Sequence, residues 1–144
     1  LAFRMYQNKI HPTCSKEILH LWRDSENRAS RTDANYKDNH FTQLKVKNFM
    51  EIDYNPNNQL YLWGASKKGK EIAQELLKTK TSFRWICNSK SKIGHNIYEI
   101  IIEDCGTVNL NDSQIIIAVA NESDQKEILK SILKFSNPDY FYFC

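Results

Sequence analysis

Three groups of residues in this chain have types and spacings that could do chemistry. The first is the glycine-flanked loop Gly64-Ala-Ser-Lys-Lys-Gly69-Lys70, set between an apolar run and an amphipathic stretch. It matches the G-x-x-x-x-G-K part of a phosphate loop. A phosphate loop, however, takes Ser or Thr next to ligate magnesium, and this chain has Glu71. That carboxylate would add charge beside the phosphates, and no apolar run ends in an Asp suited to a second magnesium contact. Against the dinucleotide pattern G-x-G-x-x-G, the chain offers Gly64, Ser66 and Gly69. Gly64 suits the tight turn and Gly69 suits close helix–strand packing, while Ser66 places a side chain where backbone should approach a pyrophosphate. Asn88 stands where an acidic residue would hold a ribose, and asparagine can hydrogen-bond a hydroxyl. Gly64, Ser66, Lys67, Lys68, Gly69 and Asn88 are therefore the candidate ligand-binding residues, with Lys90 and Lys92 adding charge at the strand ends. Two readings stand side by side, a small anionic site and a turn with solvated lysines.

The second group is arginine-rich. Arg4, Arg23, Arg28 and Arg31 hold four of the five arginines within the first 31 residues, and a guanidinium fork suits bidentate contacts to phosphate or carboxylate. The third group is histidine and cysteine. His95 has no second histidine or carboxylate at ligand spacing, His11 and His20 flank the arginine-rich segment, and Cys14, Cys87, Cys105 and Cys144 form no C-x-x-C pair. No triad or paired-carboxylate pattern occurs, so no catalytic residue, no metal site and no cofactor in this chain is predicted. Reduced thiols and the lack of a signal pattern or of any run of about 18 apolar residues predict a cytoplasmic protein with no transmembrane segment. A net charge of +3 argues against nucleic acid as a partner.

The elements that must position these residues follow from periodicity. Leu60–Trp63 reads as a strand, Ser66–Lys80 as a helix with Ile72, Ala73, Leu76 and Leu77 inward, and Phe83–Cys87 as a second strand. Ile97–Ile102 is a third. Only about nine residues separate it from Cys87, short of a parallel crossover, so an irregular or antiparallel edge element is expected there. Gln114–Ala120 has the continuous branched pattern of a central parallel strand. A helix capped by Asn121 or Ser123 runs to about Lys134 with Ile128, Leu129, Ile132 and Leu133 inward, and "YFYFC" closes the sequence as a strand. Alternating strands and helices predict an α/β fold, a small Rossmann-like and mostly parallel sheet with helices on both faces over 57–144. Before it, 32–56 holds a helix from about Asp38 to Ile52, with Phe41, Leu44, Phe49 and Met50 on one side, and the linker "YNPNNQ". Residues 1–31 hold two extended candidates, Arg4–His11 and Ile18–Trp22, too little for a core. Since the chain starts at Leu, it is expected to be cut from a longer protein, with 1–31 the edge of a missing domain.

The stretch "ILHLWRDSENRASRTD", residues 18–33, resembles the C-terminal edge of the catalytic domain of inverting, family-two nucleotide-sugar glycosyltransferases of the GT-A fold. Trp22 and Arg23 match the family's Tyr/Trp-Arg, and Arg28, Ser30 and Arg31 match its following Ser-x-Ser or basic positions. The family's histidine is replaced by Asp24 or Ser25. The segments "FTQLKVKNF", "LYLWGASKKGKEIAQELL", "FRWICNSKSKIGHNIYEI" and "QIIIAVANESDQKEI" look like the linker helix and Rossmann-like domain appended to some bacterial members. The resemblance implies the non-catalytic C-terminal part of a bacterial transferase whose parent uses a nucleotide-sugar donor and a divalent metal. Arg23, Arg28, Ser30 and Arg31 would then face the donor diphosphate or the acceptor channel, and a guanidinium there could neutralise a departing diphosphate. The alternative is a regulatory domain without enzymatic activity that binds a nucleotide, a coenzyme or a nucleotide-sugar.

Overall fold

The structure is a computed structural model, and it describes residues 2–18, 21, 25–27 and 41–144. Arg23, Arg28, Ser30 and Arg31 lie outside the described residues, as do most of the Ile18–Trp22 segment and positions 38–40.

A six-stranded sheet forms the centre: β1 (Gln59–Trp63), β2 (Arg84–Cys87), β3 (Asn96–Ile97), β4 (Ile100–Asp104), β5 (Ser113–Ile117) and β6 (Asp139–Tyr142). Their spatial order is β3-β4-β2-β1-β5-β6. All neighbours are parallel except the β3–β4 hairpin. The order reverses between β1 and β5, the two strands that carry the most continuous apolar sequence. β5 is buried along its whole length.

The third apolar run is two strands, not one. Tyr98 and Glu99 turn the chain with φ of 54° and 65°, and Asn96 pairs with Ile101 and Ile97 with Ile100. Positive φ at both central residues is the two-residue hairpin geometry whose twist matches the strands. Here the turn lacks the usual Asn-Gly. Tyr98 instead stacks on Trp85 at 6.4 Å and 17°, and its hydroxyl accepts a hydrogen bond from Gln74 Nε2 at 2.9 Å. The expected antiparallel edge element is thus only β3. β4 is parallel to β2, and the connection to it, residues 88–99, reaches the dozen residues that a crossover needs. From β4 the chain returns to β5 through residues 105–112 without a helix, laying Val108 and Leu110 on the sheet.

Helices cover both faces. On one side α2 (Phe41–Ile52) and α3 (Lys67–Lys78) pack together over Leu60, Leu62, Trp85, Ile102 and Ile116. On the other, α4 (Glu122–Ile132) covers Tyr61, Trp63, Ile115 and Ile117. In α2 the buried stripe is Thr42, Val46 and Phe49, spaced four and three residues apart, so Phe41 and Leu44 face outward, contrary to the face read from sequence. Leu77 and Leu133 are likewise exposed, each lying one position past the stripe set by Ile72–Leu76 and Ile128–Ile132. Gln114, 1% exposed on β5, ties α2 to the sheet: its Oε1 accepts from Asn55 N at 2.8 Å and its Nε2 donates to Asp53 O at 2.7 Å. Residues Ala2–Gln7 form a short helix, α1, where an extended segment is expected from sequence. Ala, Arg, Met and Gln favour helix, and the Tyr6 hydroxyl anchors it by donating to Asp53 Oδ1 at 2.6 Å. No helix among the described residues is long and apolar enough to cross a membrane.

Candidate functional site

The carboxyl ends of β1, β2 and β5 surround a cleft of about 300 Å³ at the point where the strand order reverses. Three segments build it. The β1–α3 turn brings Gly64, Ala65 and Ser66; the end of β2 and its loop bring Cys87, Asn88, Ser89 and Lys92; the β5–α4 turn brings Val119, Ala120, Asn121 and Asp124. Open parallel sheets bind ligands at such a place because the connections on either side of the reversal leave in opposite directions.

The glycine turn is shaped by backbone contact. Gly64 has φ of +116°, and a Cβ there would sit 3.0 Å from Ala118 O and 3.1 Å from Val119 Cγ2. Gly69, in the first turn of α3, has no room for a side chain either. A Cβ on it would overlap the carbonyl oxygen of Gly64 and lie 2.9 Å from the carbonyl carbon. This is the close helix–strand packing that the G-x-x-x-x-G spacing allows. Two donors fix the turn's carbonyls. Buried Trp85 donates its Nε1–H to Gly64 O at 2.8 Å, and Lys92 Nζ donates to Ala65 O at 3.1 Å.

The two helix N-termini at the cleft differ. Asn121 caps α4 with its own side chain, whose Oδ1 accepts from Ser123 N at 2.8 Å and Asp124 N at 3.2 Å. Glu122 and Asp124 further complement that end of the helix dipole. Ser66 stands at the N-cap of α3 but makes no side-chain cap bond, and no acidic residue lies in the first turn. The partial positive charge at the α3 end is therefore offset by neither a side-chain cap nor an acid in its first turn.

Of the sequence-predicted ligand residues, Gly64, Ser66 and Asn88 line the cleft, and Gly69 supports it from within α3. Lys67 is exposed beside it. Lys68 points away: its Nζ donates to Thr42 Oγ1 at 2.7 Å and contacts Glu71 Oε2 at 3.3 Å, bridging α3 to α2. Glu71, which removes the phosphate-loop reading, thus serves a helix–helix contact. Lys90 is exposed, and Lys92 alone among these lysines lines the cleft. The β5–α4 wall, with Asp124, is missed by a reading that treats Asn121 only as a cap. The rule that ligands sit at the strand-order reversal would have found it.

Larger grooves lie elsewhere. One of about 590 Å³ runs between α2 and α3, and its charged residues Lys47, Glu51, Glu75 and Lys78 are already paired with each other. Another of about 450 Å³ is lined by α1, α2 and β6 and is mostly aromatic. Neither gathers polar groups at strand ends. Across the sheet from α3, Arg84 forms a bidentate pair with Glu103, one contact being Nε to Oε1 at 2.8 Å, and reaches the Tyr61 hydroxyl at 3.2 Å. The pair holds the Glu103 carboxyl below its ordinary range and the Arg84 guanidinium above its own. It covers the face that the helix-free β4–β5 connection leaves thin. Among the described residues no group of three or more His, Cys, Asp or Glu is placed to hold a metal ion.

No family model matches this chain, and neither the curated proteins nor the solved structures yield a match.

Proposed function

We propose that residues 57–144 form a Rossmann-like accessory domain, with α2 packed on its sheet, that binds a small phosphorylated ligand at the cleft between β1 and β5. The observation that carries this reading is convergence: a tight glycine turn, an uncapped helix N-terminus without acids, Lys92 and Asn88 all meet at the strand-order reversal. Counting only the parallel strands in sequence, their order is 3-2-1-4-5, as in the first five strands of dinucleotide-binding sheets. The turn's amides and the Lys92 ammonium favour an anion, and the asparagine, serine and aspartate groups favour hydroxyls.

A panel of AMP, ATP, NAD, coenzyme A and UDP-glucose, each followed by thermal unfolding, tests it. A ligand present at a hundred times its Kd adds about 2.7 kcal/mol, worth on the order of 10 °C for a domain of about 100 residues. A flat response to the whole panel would overturn the reading.

The transferase setting is proposed on the residues "WRDSENRASR". In that setting the domain is the non-catalytic C-terminal part of a nucleotide-sugar glycosyltransferase, and Arg23, Arg28, Ser30 and Arg31 contact the donor or acceptor. Assay of the full-length parent for transfer or donor hydrolysis with common nucleotide-sugars tests this; inactivity with all of them would count against it.

A further inference from the structure

We propose that the cleft selects a phosphomonoester of a hydroxylated compound, such as a mononucleotide or a sugar monophosphate, and discriminates against diphosphates and dinucleotides. This rests on the preceding reading and narrows it. The cleft's lining contains one cation and one anion, Lys92 and Asp124. Lys68, which the sequence would add to the positive side, is spent on Thr42 and Glu71. Lys92 donates to Ala65 O at 3.1 Å, which places its ammonium against the glycine turn. An ammonium has three donors, so two remain for ligand oxygens.

Asp124 stands on the other wall, at the start of α4. Lys92 offsets one of the roughly two negative charges that a phosphomonoester carries near pH 7. A second phosphate extending towards α4 would meet the Asp124 carboxylate, a like charge with no added cation in the lining. A hydroxyl there finds an acceptor in Asp124 and amides in Asn88 and Asn121 instead. Size agrees with charge: about 300 Å³ is the lower end of small-molecule sites.

Isothermal titration of the whole chain with AMP, ADP, glucose 1-phosphate and NAD tests this, alongside Asp124→Asn, Lys92→Met and Lys92→Arg. AMP or glucose 1-phosphate should bind at least fivefold tighter than ADP. Asp124→Asn, an exposed change, should shrink that preference at least threefold. Lys92→Met should weaken the monophosphate at least tenfold, and Lys92→Arg should recover part of the loss. Melting midpoints within about 2 °C of the parent would show that each variant is folded. Equal or tighter binding of ADP or NAD, or an unchanged preference in Asp124→Asn, would overturn the selectivity while leaving the binding reading intact. Absence of binding by every probe would overturn both.

Discussion

Replacing Gly69 by alanine should destabilise the protein by about 3 kcal/mol, although the same change in an ordinary helix is favourable. In a helix interior alanine gains about 1 kcal/mol over glycine. Here the new Cβ would overlap the Gly64 carbonyl oxygen and sit 2.9 Å from its carbon, so relief requires α3 to lift from the sheet or the turn to rearrange. Lifting α3 disturbs Ile72, Ala73 and Leu76, all 0% exposed. Overpacking of this kind costs up to about 3 kcal/mol, and backbone meeting backbone belongs at the upper end. Moving the Gly64 carbonyl also breaks its hydrogen bond to Trp85 Nε1, about 1 kcal/mol. Urea unfolding followed by tryptophan fluorescence would read the change through Trp63 and Trp85, both buried. Gly106→Ala is the control, since its Cβ would find Asp104 Oδ1 at 3.4 Å and nothing nearer; it should stay within about 0.5 kcal/mol. A Gly69→Ala protein as stable as the parent would refute the close-contact reasoning.

Ser66→Asp should stabilise α3 by about 1 kcal/mol, because it supplies the missing cap and an acid at the positive helix end; the same variant should bind phosphorylated ligands more weakly, and stronger binding would contradict an anion at that end. The Arg84–Glu103 pair predicts a pH effect of definite sign. The folded carboxyl titrates below its ordinary value near 4.5, so its contribution is present above that pH and is lost as pH falls through the folded value. Both side chains are partly solvated, so the gap between parent and Glu103→Gln should be about 1 kcal/mol or less at pH 7 and should close as pH falls through the folded value; denaturation at several pH values would show it, and a constant gap would refute the pairing. With a thiol reagent in native buffer, Cys14, which is exposed, should react first, exposed Cys144 and half-buried Cys105 more slowly because desolvation raises their thiols, and buried Cys87 last; early modification of Cys87 would contradict its burial at the base of the cleft.

The parallel sheet was legible because its central strands are nearly continuous in apolar residues, and "QIIIAVA" could belong nowhere else. The hairpin at Tyr98-Glu99 was not, since neither residue is a turn former. Its geometry is held by stacking on Trp85, a contact that only the folded chain makes. Apolar periodicity marks a broader helix face than burial selects, which is why Leu44, Leu77 and Leu133 fall outside the buried stripes. At the site, the glycine spacing announced a tight turn and the structure gives each glycine a steric reason. The lysines were less informative, because local sequence cannot say that Lys68 turns towards α2 while Lys92 crosses to the glycine turn. Asp124 became a site residue only through topology, which brings β5 beside β1.

Amide chemical-shift mapping of the whole chain during titration with AMP tests binding at the cleft most directly. Binding at the cleft predicts saturable shifts at Gly64, Ser66, Asn88, Lys92 and Asn121, with Lys47 and Glu51 in the α2–α3 groove unmoved. Shifts centred on that groove, or none at the strand ends, would contradict it.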